Sequence, residues 1–486
     1  MLFNPINEMR MHDAIREEEQ RLARMQRAWR AYAGELKKPL LPKPGEADTN
    51  VRLNFGRMIV DKGVAFLFGE APDIDANNGT TVESAADATT ENEVDRDLDA
   101  AWAQNLAPIL LQNIAINGAV CGTAFVKIQP PPRGKKYPRL VIIDPATIVP
   151  FLDPEDFEHV EGYRITWNAM DPSTGQMTEY VQSITENEAG KWEIVEQNRP
   201  PTQKAWTTTS STVWPYDFCP IQACQNRAMP NQFWGQSDLE EDVIEINHSL
   251  NFLASNVNKI IAFHAHPKTW GTGFQGVDLR IPVDGLVALP PGATLQNLEM
   301  QSDLGSTLAF YEKMKEAIHE ISSIPEIATG MVNGLGQLSG VALQVLYQSL
   351  VELTKKKRLT YGDLISRLSQ CMLEMMGHGS DVEITIHWPD MLPVDDLSTG
   401  QTMLIYEQLG VSKSTILARL GFDPEEEESK RNAEDDNAGS ALLKAFDGGG
   451  KTNTGDSEDD DPENDDGAAA KAGVSNRIGL RTKPRN

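Results

Sequence analysis

The chain has 486 residues, 40% of them hydrophobic, enough for two to four domains with real cores. Its formal charge of −27 is partly a tail effect: residues 425–466 hold 16 acidic and 4 basic side chains and residues 467–486 hold 5 basic ones, which leaves −20 on residues 1–424. So acidic a body argues against tight, non-specific wrapping of nucleic acid, which needs clustered Lys and Arg to release counterions, although DNA could still pass nearby without sticking.

Cys121, Cys219, Cys224 and Cys371 show no C-x-x-C spacing. Free thiols in a reducing compartment are expected, with no disulfide framework and no readable zinc site. The N-terminal stretch lacks the apolar core of a signal peptide, and no run approaches the roughly 18 apolar residues of a membrane helix. A cytosol-like setting is the expectation.

Residues 8–34 read as an amphipathic helix with Met11, Ile15, Leu22, Met25 and Trp29 in one stripe. Its polar face carries a mixed-charge run, which fits a surface helix packed on its own domain rather than a membrane binder. After the breaker KKPLLPKPGEAD, the segment NVRLNFGRMIVDKGVAFLFGEAP reads as a buried helix ending at Gly69, with Pro72 as the stop. A further helix is expected from about Glu91 to Asn117, closed by Gly118. From there to about Pro215 the period switches to two: TAFVKIQ, PRLVIID, EGYRITWN, MTEYVQSI and KWEIVE are short strands, with DPSTG and ENEAG as hairpin turns. A small antiparallel sheet attached to helices gives an α+β fold, mainly α.

At Ser237 the sequence S-D-L-E reads as a capping box, Ser237 at N-cap and Glu240 at N3, and Asp238, Glu241 and Asp242 complement the helix dipole. A long helix should start here and run to about His264 with Val243, Ile246, Leu250, Leu253, Val257 and Ile260 on one face. After Pro267 comes a Gly/Pro-rich module with two short strands. Then Leu304, Leu308, Tyr311, Met314, Ile318 and Ile321 mark a second long helix that must stop at Pro325. Beyond the glycine-rich IPEIATGMVNGLGQLSG, a third stripe runs Leu343, Leu346, Leu350, Leu353, Tyr361, Leu364, Leu368, Met372 and Met375. If continuous, this helix spans roughly 55 Å at 1.5 Å per residue. Lys357 falls where an apolar residue is due, inside the basic run Lys355, Lys356, Lys357, Arg358. That run reads either as a solvated or acid-paired patch or as charge that meets a neighbouring subunit or passing DNA. Past Gly379, DVEITIHW is a strand; short helices follow with Ser398 and Ser412 as N-caps; and beyond Asn437 the composition is too polar to offset chain entropy.

Three apparent motifs fail on context. The GGGKT at Gly448–Thr452 lacks the first glycine of a phosphate loop, a preceding strand and a following helix. Gly334-x-Gly336 has no strand leading in and no third glycine, and His264-x-His266 has no third ligand. No catalytic motif is visible, and no cofactor is expected.

Several segments together resemble the portal proteins of tailed double-stranded-DNA bacteriophages: NVRLNFGRMIVDKGVAFLFGEAP, NGAVCGTAFVKI, GQSDLEEDVIEINHSLNFLASN, SSIPEIATGMVNGLGQLSGVAL and GVSKSTILARLGFDPEEEE. The resemblance covers about residues 50–435. It implies a dodecameric ring at one capsid vertex, a non-enzymatic conduit through which double-stranded DNA is packaged and ejected. On that scheme residues 1–236 are the wing, 237–266 the first stem helix, 267–302 the clip and 303–324 the second stem helix. Residues 325–339 are the tunnel loop, 340–378 the long bent helix, 379–394 a strand returning to the wing, 395–436 the crown and 437–486 an acidic tail. The implied DNA-facing residues are Thr329, Met331, Val332, Asn333, Gly334, Leu335, Gly336 and Gln337. The clip residues Trp270, Phe274, Asp278 and Arg280 would meet the terminase large subunit and later the head-completion adaptor, and Asp238, Glu240, Glu241 and Asp242 would supply stem charge. Major capsid and scaffolding proteins complete the expected partners, with no membrane, and the virion, assembled in the host cytoplasm, is the expected location. Two rival readings are a packaging ATPase that uses the tail GGGKT and a minor head adaptor that uses the long helices as a coil.

Overall fold

A computed structural model describes residues 5–35, 37–42, 44, 48–77, 85–156, 158–265, 269–273, 289, 291–297, 304–330, 340–379, 382–392, 403 and 405–419. The chain divides into two units, Met1–Val394 and Asp395–Asn486.

In the first unit, α1 (Pro5–Ala33) and α2 (Phe55–Phe68) precede the strand β1 (Asp73–Asn77). The α2 helix is capped by Asn54, whose side chain accepts from the amide of Arg57 at 2.9 Å, and its Ile59, Val60, Val64, Leu67 and Phe68 enter the main core. The single helix expected over 91–117 is two helices, α3 (Ala85–Gln104) and α4 (Ala107–Cys121). Leu106 in a left-handed conformation, with Pro108 in the first turn of α4, breaks them. Gly118 does not close α4 but lies inside it, and the closing residue is Gly122 at φ +87°.

The β region forms two sheets rather than one. One has the order β3–β2–β9, with β2 (Thr123–Gln129), β3 (Arg139–Ile143) and β9 (Ile221–Gln225); the other has the order β4–β5–β6–β7–β8. The latter is built from β4 (Ile148–Leu152), β5 (Val160–Met170), β6 (Met177–Glu186), β7 (Trp192–Arg199) and β8 (Thr207–Val213), all antiparallel. The expected turns are present: Asp171 accepts from the amide of Ser173 and Asn187 from those of Ala189 and Lys191. Alternation on β2 divides two cores. Ala124, Val126 and Ile128 face the helices, whereas Phe125 joins Ile148, Tyr163, Ile165 and Ile184 between the sheets.

The long helices follow: α5 (Glu241–Ala265), the short hairpin β10 (Thr269–Thr272) and β11 (Thr294–Asn297), and α6 (Gly305–Ser322), with α5 packed on α6. A 3-10 turn at Glu326–Thr329 leads on, and the last helix is interrupted at Tyr347 into α7 (Gly340–Leu346) and α8 (Gln348–Met376). The strand β12 (Glu383–His387) then returns to pair with β1. In the second unit α9 (Lys413–Arg419) starts after Ser412, whose hydroxyl accepts from the amide of Thr415 at 3.3 Å. Ser398 lies outside the described residues.

Candidate functional site

The apolar stripe of α8 drives Leu350, Tyr361, Leu364, Leu368 and Met372 fully into the core, and Lys357 goes in with them, 3% exposed. A lone ammonium there would carry a large desolvation penalty, so it needs a fixed counter-charge. Asp238 supplies it: Lys357 Nζ donates to Asp238 Oδ2, and both side chains are buried. The other carboxylate oxygen of Asp238 accepts from Asn226 Nδ2 at 3.0 Å, and Asn226 Oδ1 accepts from the Tyr361 hydroxyl at 3.2 Å. Burial, together with the nearby Cys224 and Asp238, holds the Tyr361 phenol protonated far above its ordinary range. Two helices make room for this network. A Cβ at Gly118 of α4 would lie 2.0 Å from the Tyr361 hydroxyl, and Gly63 of α2 lies beside the ion pair.

This burial changes the start of α5. The reciprocal bond of the capping box is present, with the Ser237 amide donating to Glu240 Oε1 at 3.1 Å, but helical structure begins only at Glu241. Residues 238 and 239 bend inward so that Asp238 reaches Lys357 and Leu239 is buried. The Ser237 hydroxyl turns to the carbonyls of Ala119 and Val120. Asp238 therefore adds no open charge to the surface of the helix. Glu241 and Asp242 remain exposed, and Glu241 and Glu245 both pair with Arg27 of α1. Glu240 is half-buried.

Down α5, a second polar device lies off the apolar stripe. Asn247, Asn251 and Ser255, all buried, and Asn258 take the extended segment 49–55 one after another. The Phe55 amide donates to Asn247 Oδ1 (3.2 Å), Leu53 both donates to and accepts from the Asn251 amide (2.7 and 3.1 Å), Val51 donates to Ser255 Oγ (2.9 Å), and Asn258 donates to the Thr49 carbonyl (2.8 Å). The fit is one of pitch: four helical residues advance roughly 6 Å and two extended residues roughly 6.6 Å. Polar residues at i, i+4 and i+8 beside an apolar stripe were the signal for it.

The two borders of residues 331–339 are both pinned. On the entering side the His319 ring bonds the Ile324 carbonyl at 2.8 Å, Lys315 pairs with Glu326, and the Thr329 hydroxyl donates to the Glu326 carbonyl at 2.6 Å. On the leaving side Tyr347 stacks on Phe66 with centroids 5.6 Å apart. Met331, Val332, Asn333, Gly334, Leu335, Gly336 and Gln337 lie outside the described residues, as do Phe274, Asp278 and Arg280. Trp270 on β10 is about half exposed. The basic run divides by helical period. Lys357 points inward, Lys355 and Lys356 point to solvent, and Arg358 lies over the Trp388 ring at 4.9 Å while donating to the Pro389 carbonyl at 2.8 Å. Of the decoys, the GGGKT segment and the Gly334–Gly336 pair also fall outside the described residues, as does His266.

Residues 11–440 match the family described as "Phage portal protein, SPP1 Gp6-like", and the chain belongs to that family. No curated protein matches it. A chain from the solved structure described as "Neck of native GTA particle computed with C12 symmetry" is similar at 13% identity and a TM-score of 0.40, over 76% of this chain and 90% of that one.

Proposed function

We propose that this portal-family chain is one subunit of a dodecameric ring at a capsid vertex, whose channel passes double-stranded DNA during packaging and ejection. Residues 325–339 face the DNA, and residues 267–302 receive the terminase large subunit and then the head-completion adaptor. Beyond family membership, the observation that carries this reading is the uncovered apolar surface of the long helices. Leu308, Phe310 and Ile321 of α6 and Val345 of α7 stand between 45% and 65% exposed in a single copy, although Leu308 and Ile321 belong to the stripe that buries Ile318. Long striped helices of this kind need neighbours, and a closed ring supplies them without leaving an open end.

The test is the mass of the purified protein by light scattering, with negative-stain images. Hollow rings of about twelve protomers are expected; a protomer-sized particle at micromolar concentration, with no rings on addition of scaffolding protein, would count against the proposal.

A further inference from the structure

One apolar side chain stands out from the body. Leu359 on α8 is 76% exposed, two residues beyond the buried Lys357 and therefore about 200° around the helix from it. Lys355 and Lys356, one turn back, are its surface neighbours, both exposed and without an acidic partner among the described residues. On a chain of formal charge −27, a leucine flanked by two free lysines is a distinctive knob.

A hole of complementary character lies elsewhere on the same unit. A groove of about 520 Å³ is lined by the apolar Ala223, Ala228, Met229, Pro230 and Phe233 together with polar side chains that include Gln225 and Glu158. Glu158 belongs to the turn between β4 and β5, where Glu155 and Asp156 are also exposed and without a basic partner among the described residues, as is Glu161 at the start of β5. The turn's shape is fixed by its own side chains: Asp153 accepts from the Glu155 amide at 2.7 Å and Asp156 from the Glu158 amide at 2.9 Å. The groove thus combines an apolar part with a neighbouring cluster of carboxylates, and the knob is apolar with a basic collar.

Strand alternation decides which side chains of β9 reach the groove. On β9, Gln222 accepts from Arg367 of α8 at 2.6 Å, so it faces the helix; Ala223 and Gln225, one residue out of phase, face away and floor the groove. An exposed leucine beside two lysines and a groove beside exposed carboxylates complement each other, so that they fit together between successive copies in a head-to-tail contact, the kind that closes a ring. We infer that the Leu359 knob of one copy, with its Lys355 and Lys356 collar, seats in the groove bounded by Glu158, Met229 and Phe233 of the next copy. This inference rests on the ring reading for its closure and supplies one of the contacts that the ring would use.

Two experiments on the full-length chain test it. In the first, Leu359→Cys and Ala228→Cys are combined and the protein is treated with a mild oxidant. The native thiols are pushed up to about 12 by burial, so they stay out of the reaction. A non-reducing gel should show a ladder of linked subunits, and a mixture of the two single variants should stop at pairs. In the second, Lys355→Glu with Lys356→Glu should raise the concentration needed for assembly at least tenfold, and adding Glu155→Lys with Glu158→Lys should restore it while circular dichroism stays unchanged. Intact rings without a ladder would overturn the contact and leave the ring standing. A ladder running beyond pairs in a protein that never forms rings would keep the contact and remove the ring, linkage that stops at pairs would overturn the head-to-tail contact, and reversed charges that assemble as well as wild type would remove the collar's role.

Discussion

At the scale of single residues, the organising feature is a charge where the stripe asks for a hydrocarbon. Lys357 was legible as an interruption, but its partner was not, because Asp238 lies 119 positions away and reads locally as a helix-start residue. Asp238→Ala should destabilise the chain by about 3–5 kcal/mol, since it leaves a buried ammonium unpaired. Joint replacement, Asp238→Leu with Lys357→Met, should cost less than either single change, because both desolvation penalties disappear together. Urea midpoints of the three variants decide this, and a double variant as damaged as the sum of the singles would mean that the pair is not what matters.

A second residue carries a pH signature. Asp97 on α3 accepts from Lys136 at 2.8 Å, His378 at 3.2 Å and the Tyr137 hydroxyl at 3.0 Å, and chiefly the Lys136 bond lowers its pKa from 3.8 to about 2. The folded state therefore holds the carboxylate ionised more strongly than the unfolded chain does. That contribution is complete above about pH 4 and is lost as pH falls through about 2. Melting temperatures taken from pH 4.5 to 2 should fall more steeply for wild type than for Asp97→Asn, and parallel curves would contradict the assignment.

Among the elements, periodicity identified most helices and strands, and some of the misses share a cause in interactions across the chain. The break at Leu106 is local, set by Pro108 in the next turn, whereas the kink at Tyr347 and the late start of α5 are enforced from outside the local pattern. For α5 the enforcing contact is the Lys357 ion pair, and for Tyr347 it is the Phe66 ring. The strand β8, TTTSSTV, escaped because a run of Thr and Ser has no apolar alternation to read. The polar ladder on α5 was half legible, since its asparagines were visible but the strap they grip has no regular structure of its own. Replacing the buried Asn251 with Ala removes the side-chain partner of both the Leu53 amide and carbonyl, bonds that are part-buried, at about 1 kcal/mol. Hydrogen exchange should show the protection of Leu53 and Val51 falling several-fold while α8 stays unchanged. Loss of protection throughout the unit would mean that the ladder is part of the global core instead.

Taken whole, the chain combines a demand for neighbours with a reluctance to hold polyanions. The exposed leucines and phenylalanine of the long helices call for protein contacts, whereas a body of −20 offers a nucleic acid few counterions to release. Part of the small basic inventory is committed elsewhere: Lys357 is buried against Asp238, Arg27 is paired with Glu241 and Glu245, and Arg358 is laid over Trp388. A conduit needs this combination, because a duplex that bound its wall through many phosphates would stall. The purified protein should therefore retain duplex DNA weakly at about 0.1 M salt, where charges more than about 10 Å apart are screened from each other. Its apparent affinity should change little between 50 and 200 mM salt, against the roughly thousandfold loss expected of a protein that makes six or more phosphate contacts. A fluorescence anisotropy titration at those two salt concentrations measures the slope directly. A steep slope with tight binding at low salt would mean that the basic residues converge on the duplex in the assembled state, and the sliding-conduit reading would have to give way to one of gripping.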